Sequence, residues 1–156
     1  MMRVMAGAAF TLALATVGAA QAYAVDACAL LTKAEVEAIA GRPMSKGAPP
    51  PAVPPASADV TFTQCSWPTA DGDNPIGLAV RISKKGDGAP AYARQTAIDS
   101  GFKVEDVSGL GDLAFWNGIQ LQVFRGKDLQ VVVNVMGHKD GKEKAIQVAR
   151  KALAKL

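Results

Sequence analysis

The spacing of the hydrophobic positions changes along the chain, and each change marks an element. Leu31-Thr32-Lys33-Ala34-Glu35-Val36 opens the first one. Thr32 as N-cap and Glu35 three residues on form a capping box, and Leu31 and Val36 form a hydrophobic staple. Gly41 followed by Arg42-Pro43 ends it, so the pattern predicts a short helix over Lys33–Ala40. From Val60 the period becomes two: Val60, Phe62 and Gln64 alternate with Thr61, Thr63, Cys65 and Trp67. Those β-branched and aromatic residues predict a strand. Turn residues at 68–77 lead to Leu78, Val80 and Ile82 alternating with Ala79, Arg81 and Ser83, a second strand in a hairpin with the first.

Ala89–Ser100 reads as a middle helix, with Pro90 in its first turn and Gly101 at its C′ position. A short extended piece, Phe102–Val107, precedes a tight loop at Ser108-Gly109-Leu110-Gly111-Asp112. Two strands follow, Leu113–Asn117 and Ile119–Arg125, parted at Gly118. Leu129–Met136 is the most continuous apolar run of the second half. Its Val131-Val132-Val133 predicts a central strand covered on both faces, at least locally. The last element has the cleanest helical period. Asp140 and Glu143 mark its start, and Ala145, Ile146, Ala149, Ala152, Leu153 and Leu156 share one side. Runs of hairpin-linked strands with few helices define an α+β chain: a mainly antiparallel sheet packed by a short N-terminal helix, a middle helix and an amphipathic C-terminal helix.

Two stretches do not fit that pattern. Residues 1–24 carry one charge, Arg3, then an apolar run that ends in Ala20-Gln21-Ala22 and Ala22-Tyr23-Ala24. A basic start, an apolar centre and small residues at A-x-A positions predict a secretory signal peptide, cleaved after Ala22 or Ala24, rather than a transmembrane anchor. Residues 25–156 then form the single folded domain, periplasmic or secreted, with no other segment apolar enough to cross a bilayer. Arg42–Asp59 holds six prolines and predicts an exposed, semi-extended surface loop.

Composition narrows the chemistry. The net charge is +3 in 156 residues, and it falls to +2 when Arg3 leaves with the leader. That is too little for a dedicated nucleic-acid binder. Two cysteines exclude zinc-ribbon and iron–sulfur centres. In an oxidising compartment Cys28 and Cys65 are expected to pair, the alternative being a reactive thiol without a C-x-x-C partner. The bridge would close a loop of about 38 residues, for which chain entropy gives about 4 kcal/mol.

Candidate sites are sparse. Gly109-x-Gly111-x-x-Ala114 has the letters of a dinucleotide fingerprint, but a strand follows it where that mechanism needs a helix N-terminus. Met136 and His138, with Met44, are too few for a copper site. Asp71 and Asp73 lack the remainder of a calcium loop. His138 is the single histidine, and no nucleophile–base pair is legible around it. No cofactor or metal is expected. Phe115 and Trp116 are neighbours on a strand and point to opposite faces, so an exposed Trp116, with Phe115 and Trp67, is the candidate patch for a protein or small ligand. Lys144, Lys151 and Lys155 share a helix face and could touch an anionic surface.

The segments Asp26-Ala27-Cys28-Ala29-Leu30-Leu31-Thr32, Cys65-Ser66-Trp67 and Gly109-Leu110-Gly111-Asp112-Leu113-Ala114-Phe115 resemble a group of small exported bacterial domains, many of them actinobacterial lipoproteins. The resemblance spans most of the chain after residue 24. It implies an α/β sandwich similar to the PsbP-like fold, with Cys28 and Cys65 as its disulfide, and it implies no activity. The chain departs from the group in lacking a good lipobox before Cys28 and in its proline-rich stretch. The expectation is an exported, non-catalytic binding module. The alternatives are a small hydrolase built on converging carboxylates and an envelope-surface protein using the lysine face.

Overall fold

The computed structural model describes residues 25–51, 58–86 and 89–156. The expected leader, residues 1–24, lies outside the described residues, as do 52–57 of the proline-rich stretch. A 3-10 turn at Ala27–Ala29 is followed by α1 (Lys33–Ala40), β1 (Val60–Trp67), β2 (Ile76–Ser83), α2 (Ala89–Asp99), β3 (Glu105–Asp106), β4 (Leu113–Trp116), β5 (Gln120–Arg125), β6 (Leu129–Val135) and α3 (Gly141–Leu153). The strands form one antiparallel sheet in the order β1-β2-β6-β5-β4-β3. The architecture is therefore the α+β type that the hydrophobic pattern predicts. Among the described residues, no helix is long and apolar enough to cross a membrane.

One face of the sheet carries Cys65, Trp67, Ile76, Leu78, Val80, Leu121, Val123, Val131, Val133 and Val135, all buried. Pairing puts them in rows across the strands: Cys65 opposite Leu78, Leu78 opposite Val133, Val133 opposite Leu121. The α3 helix lies over β5 and β6, α1 packs on α3, and the 3-10 turn covers β1 and β2. Ala145, Val148, Ala149 and Ala152 bring α3 down onto the sheet, with Ile146, Leu153 and Leu156 half-buried at its margins. The small side chains permit the close approach.

This packed side is held at two further points. Cys28 and Cys65 form a disulfide between the 3-10 turn and β1, with Cα atoms 4.9 Å apart. Glu35 serves both α1 and α3. Its carboxylate accepts the Thr32 backbone N–H at 2.9 Å while the Thr32 hydroxyl accepts from the Glu35 N–H at 3.2 Å, the reciprocal capping box. Lys151 and Lys155 of the C-terminal segment then reach the same carboxylate, each at 3.3 Å.

Three local expectations are corrected. The described part of the proline-rich stretch is mostly exposed, as expected, but it does not simply project into solvent. Ala48 pairs with Ser66 in both directions, at 3.0 and 2.9 Å, and the Ser45 N–H donates to the Pro68 carbonyl at 2.7 Å. Residues 43–48 thus cover the outer edge of β1, and Met44 is buried there. Gly47 makes this possible, since a Cβ on it would lie 2.3 Å from the Trp67 indole nitrogen. Asp140 precedes α3 but makes no side-chain cap, because its backbone is left-handed at φ 57° and turns the carboxylate away from the first amides. Val132 is half-buried where the apolar run predicts cover on both faces. The strand is central, as expected, but its second face is roofed only in part.

Candidate functional site

The second face of the sheet is built from the alternate positions of the same strands. It presents Phe62 and Gln64 from β1, Ala79 and Arg81 from β2, Gln130, Val132 and Asn134 from β6, and Gln120, Gln122 and Phe124 from β5. The α2 helix covers only the far end of it. Ala97 packs with Phe115 of β4 and Phe124 of β5, and Ala93, Val104 and Leu113 close the contact. The Phe115 and Phe124 rings are stacked, with centroids 6.3 Å apart and planes 22° from parallel. Among the described residues no helix covers the strands beyond, so the edge of α2 becomes one wall of a groove.

That groove has a volume of about 550 Å³. Arg81, Gln120, Gln122 and Gln130 contribute from the strands and Asn117 from the β4–β5 turn. Tyr92, Thr96, Ser100 and Phe102 contribute from α2 and the segment after it. Gln130 donates from Nε2 to Gln122 Oε1 at 3.1 Å, which joins two floor residues across neighbouring strands. Asn117 is buried and its Oδ1 accepts the backbone N–H groups of Ile119 and Gln120 at 3.2 and 2.8 Å, so the tight turn holds Gln120 in place. At the wall, Tyr92 is 75% exposed and Phe102 42%.

The lining contains carboxamides, hydroxyls, two aromatic rings and one cationic side chain. Among the described residues, no carboxylate, histidine or cysteine lines it. A group able to exchange a proton near neutral pH is missing from that set. The arrangement is suited to orienting a polar molecule by hydrogen bonds, and it offers no nucleophile–base pair.

The aromatic residues expected to form the binding patch are elsewhere. Phe115 is buried beneath α2, Trp67 is buried beside Gly47, and Trp116 is 9% exposed. Phe115 and Trp116 do point to opposite faces, but each face is closed at that strand. Two of the three lysines of the C-terminal face are likewise engaged. Lys151 and Lys155 pair with Glu35, and Lys155 also donates to the Leu30 carbonyl at 2.7 Å. These contacts and the Thr32 bonds hold the Glu35 carboxyl at about 2, with the Thr32 backbone N–H the largest cause.

Two aspartates do share a smaller cavity of about 270 Å³ beside the Ser108–Asp112 loop. Asp106 is paired there with Arg94, its two oxygens meeting Nε and Nη2 at 3.1 and 3.4 Å. Asp112 accepts the Gly126 N–H at 2.6 Å, and the Phe124 carbonyl accepts its backbone N–H at 2.8 Å. The loop therefore clamps the β5–β6 turn. Gly111 permits this with φ 58° and with a position where any Cβ would fall 2.3 Å from the Phe124 carbonyl oxygen. Gly109-x-Gly111 is a packed turn followed by a strand, without the helix N-terminus that a phosphate site needs.

The remaining candidates resolve into local structure. The Thr69 hydroxyl is shared between the Asp71 carboxylate and the Asp73 carbonyl, and it holds the Asp71 carboxyl below the usual carboxylate range. His138 Nε2 lies 2.8 Å from the Asn74 carbonyl oxygen, which ties the approach to α3 to the β1–β2 turn. Among the described residues, no cluster of three or more His, Cys, Asp or Glu is placed to hold a metal ion.

The groove residues carry no local signal of function. Gln120, Gln122 and Gln130 read in the sequence as ordinary outward positions of half-exposed strands. Strict alternation places Gln120 and Gln122 on one face, but only the β6–β5 pairing places Gln130 beside them. Comparison of the chain with protein-family models, with characterised proteins and with solved structures finds no match in any of the three.

Proposed function

We propose that the protein is an exported, non-catalytic binding module that holds a small polar ligand in the groove between α2 and the amide-bearing face of the sheet. The observation that carries this reading is the convergence of Arg81, Gln120, Gln122 and Gln130 under the α2 wall, in a cavity with no carboxylate or histidine among the described residues that line it. Concave sites with a few convergent polar groups and an aromatic margin are where small ligands bind. Export is supported by the Cys28–Cys65 disulfide, which persists in oxidising compartments, and by the leader pattern of residues 1–24. The resemblance to small exported bacterial domains agrees with that destination. Hydrolysis by paired carboxylates is disfavoured by the cation on Asp106 and the backbone bond on Asp112. A membrane-surface role for the lysine face is disfavoured by the Glu35 pairs of Lys151 and Lys155, two of its three lysines.

The test is a small-molecule fragment screen by heteronuclear NMR on the purified protein. Hits are expected to move the side-chain amide signals of Gln120, Gln122 and Gln130, and to lose affinity in Gln122→Ala. Hits that map to other surfaces, or that are indifferent to Gln122→Ala and Gln130→Ala, would remove the groove from consideration.

A further inference from the structure

The hydrogen-bonding pattern of the groove restricts what can fill it, provided the groove is the binding site proposed above. The bond from Gln130 Nε2 to Gln122 Oε1 uses one donor and one acceptor of the pair. Gln122 keeps its NH2 group for a ligand, and Gln130 keeps its carbonyl oxygen. Reversing both amides exchanges the two roles and leaves the pair with the same complement. The floor therefore offers donor and acceptor side by side. Thr96 and Ser100 on the facing wall are hydroxyls that also do both.

A ligand that only accepts, such as phosphate or sulfate, leaves the amide carbonyl oxygen facing an anion. A ligand that only donates, such as an alkylammonium ion, leaves the NH2 group unmatched. Unmatched polar groups in a desolvated site cost more than a matched bond returns. Hydroxyl groups match this floor because each one donates and accepts. The wall adds a second requirement. Tyr92 and Phe102 present apolar ring surface beside the amides, so the ligand must have an apolar face next to its polar edge. A pyranose ring has both: hydroxyls around its rim and C–H groups on its flat face. A cavity of about 550 Å³ is of the size that encloses small organic ligands.

We infer that the groove binds a carbohydrate of one or two sugar rings, with its hydroxyls on Gln122, Gln130 and Gln120 and its C–H face against Tyr92 or Phe102.

The experiment titrates the purified protein, followed by heteronuclear NMR, with two sets of probes. The first is a saccharide panel of neutral, N-acetylated and uronate mono- and disaccharides. The second is non-sugar probes: citrate, inorganic phosphate and trialanine. At least one neutral, N-acetylated or uronate sugar is expected to shift the Gln122 and Gln130 amide signals. Tyr92→Ala, an exposed position that folding does not need, and Gln122→Ala are each expected to weaken it about tenfold while the melting temperature holds. Citrate, phosphate or trialanine shifting those signals while no saccharide does would overturn the sugar assignment and keep the groove as a site. Sugars that shift only residues outside the groove would overturn both the sugar assignment and the groove itself. No response to any saccharide at millimolar concentration would overturn the sugar assignment.

Discussion

The two faces of the sheet are made by alternate residues of the same strands, yet they have opposite characters. Leu121 and Val123 of β5 enter a face closed by α3, α1 and the 3-10 turn. Gln120 and Gln122, their immediate neighbours, enter a face that α2 covers at one end only. The closed face carries the disulfide and the Glu35 network that joins α1 to the C-terminal segment. The open face carries the unburied amides and the groove. On the proposed reading, stability and recognition are divided across the thickness of one sheet, so they can be perturbed separately.

The largest expected effect is on the closed face. Cys65→Ala opens the 28–65 loop and is expected to cost about 4 kcal/mol, read as a lower denaturant midpoint with little change in the groove's NMR signals below the transition. If the loss is under about 1 kcal/mol, the bridge contributes little of the chain-entropy stabilisation assigned to it.

The comparison itself is tested by two adjacent positions on β5. Leu121→Ala is expected to cost about 3 kcal/mol through lost burial and the cavity left behind. Gln122→Ala points the other way and is expected to change stability by less than about 1 kcal/mol while weakening ligand. Equal destabilisation by the two would show that the amide face is also structural.

The smallest effect is a pH dependence. The folded-state pKa of Glu35 is depressed, to about 2 from an ordinary 4.5, chiefly by the Thr32 N–H. Its contribution is therefore complete above the ordinary value and fades as the pH falls toward 2. Glu35→Gln is expected to flatten the acid limb of the stability curve, measured by denaturant melts between neutral pH and the acid side. An unchanged acid limb would place the proton-linked stability on other carboxyls.

Much of the frame was legible because it depends on neighbours in sequence. The Thr32–Glu35 capping box, the strand at Leu129–Val135 and the apolar side of the last helix all follow from spacing within a few residues. So does the bracketing of α2 by Pro90 and Gly101. Asp140 was the local signal that misled: a D-x-x-E pattern specifies residue types but not the left-handed backbone found at Asp140. The aromatic patch failed for a different reason. Phe115 and Trp116 alternate as expected, but alternation cannot say whether a helix will settle on either side, and here both sides are closed.

Local hydrophobic period, turn residues and the cysteine pair determined the elements and the α+β class, because those depend on steric and solvation preferences a few residues wide. Only the tertiary structure decided which face of the sheet would be covered. It also decided that β6 lies between β2 and β5, which brings Arg81, Gln130 and Gln122 under the wall of α2. Strand order and helix docking are set by long-range burial and by backbone pairing between distant segments, and a polar residue on a strand carries the same local signal whether it meets water or a ligand.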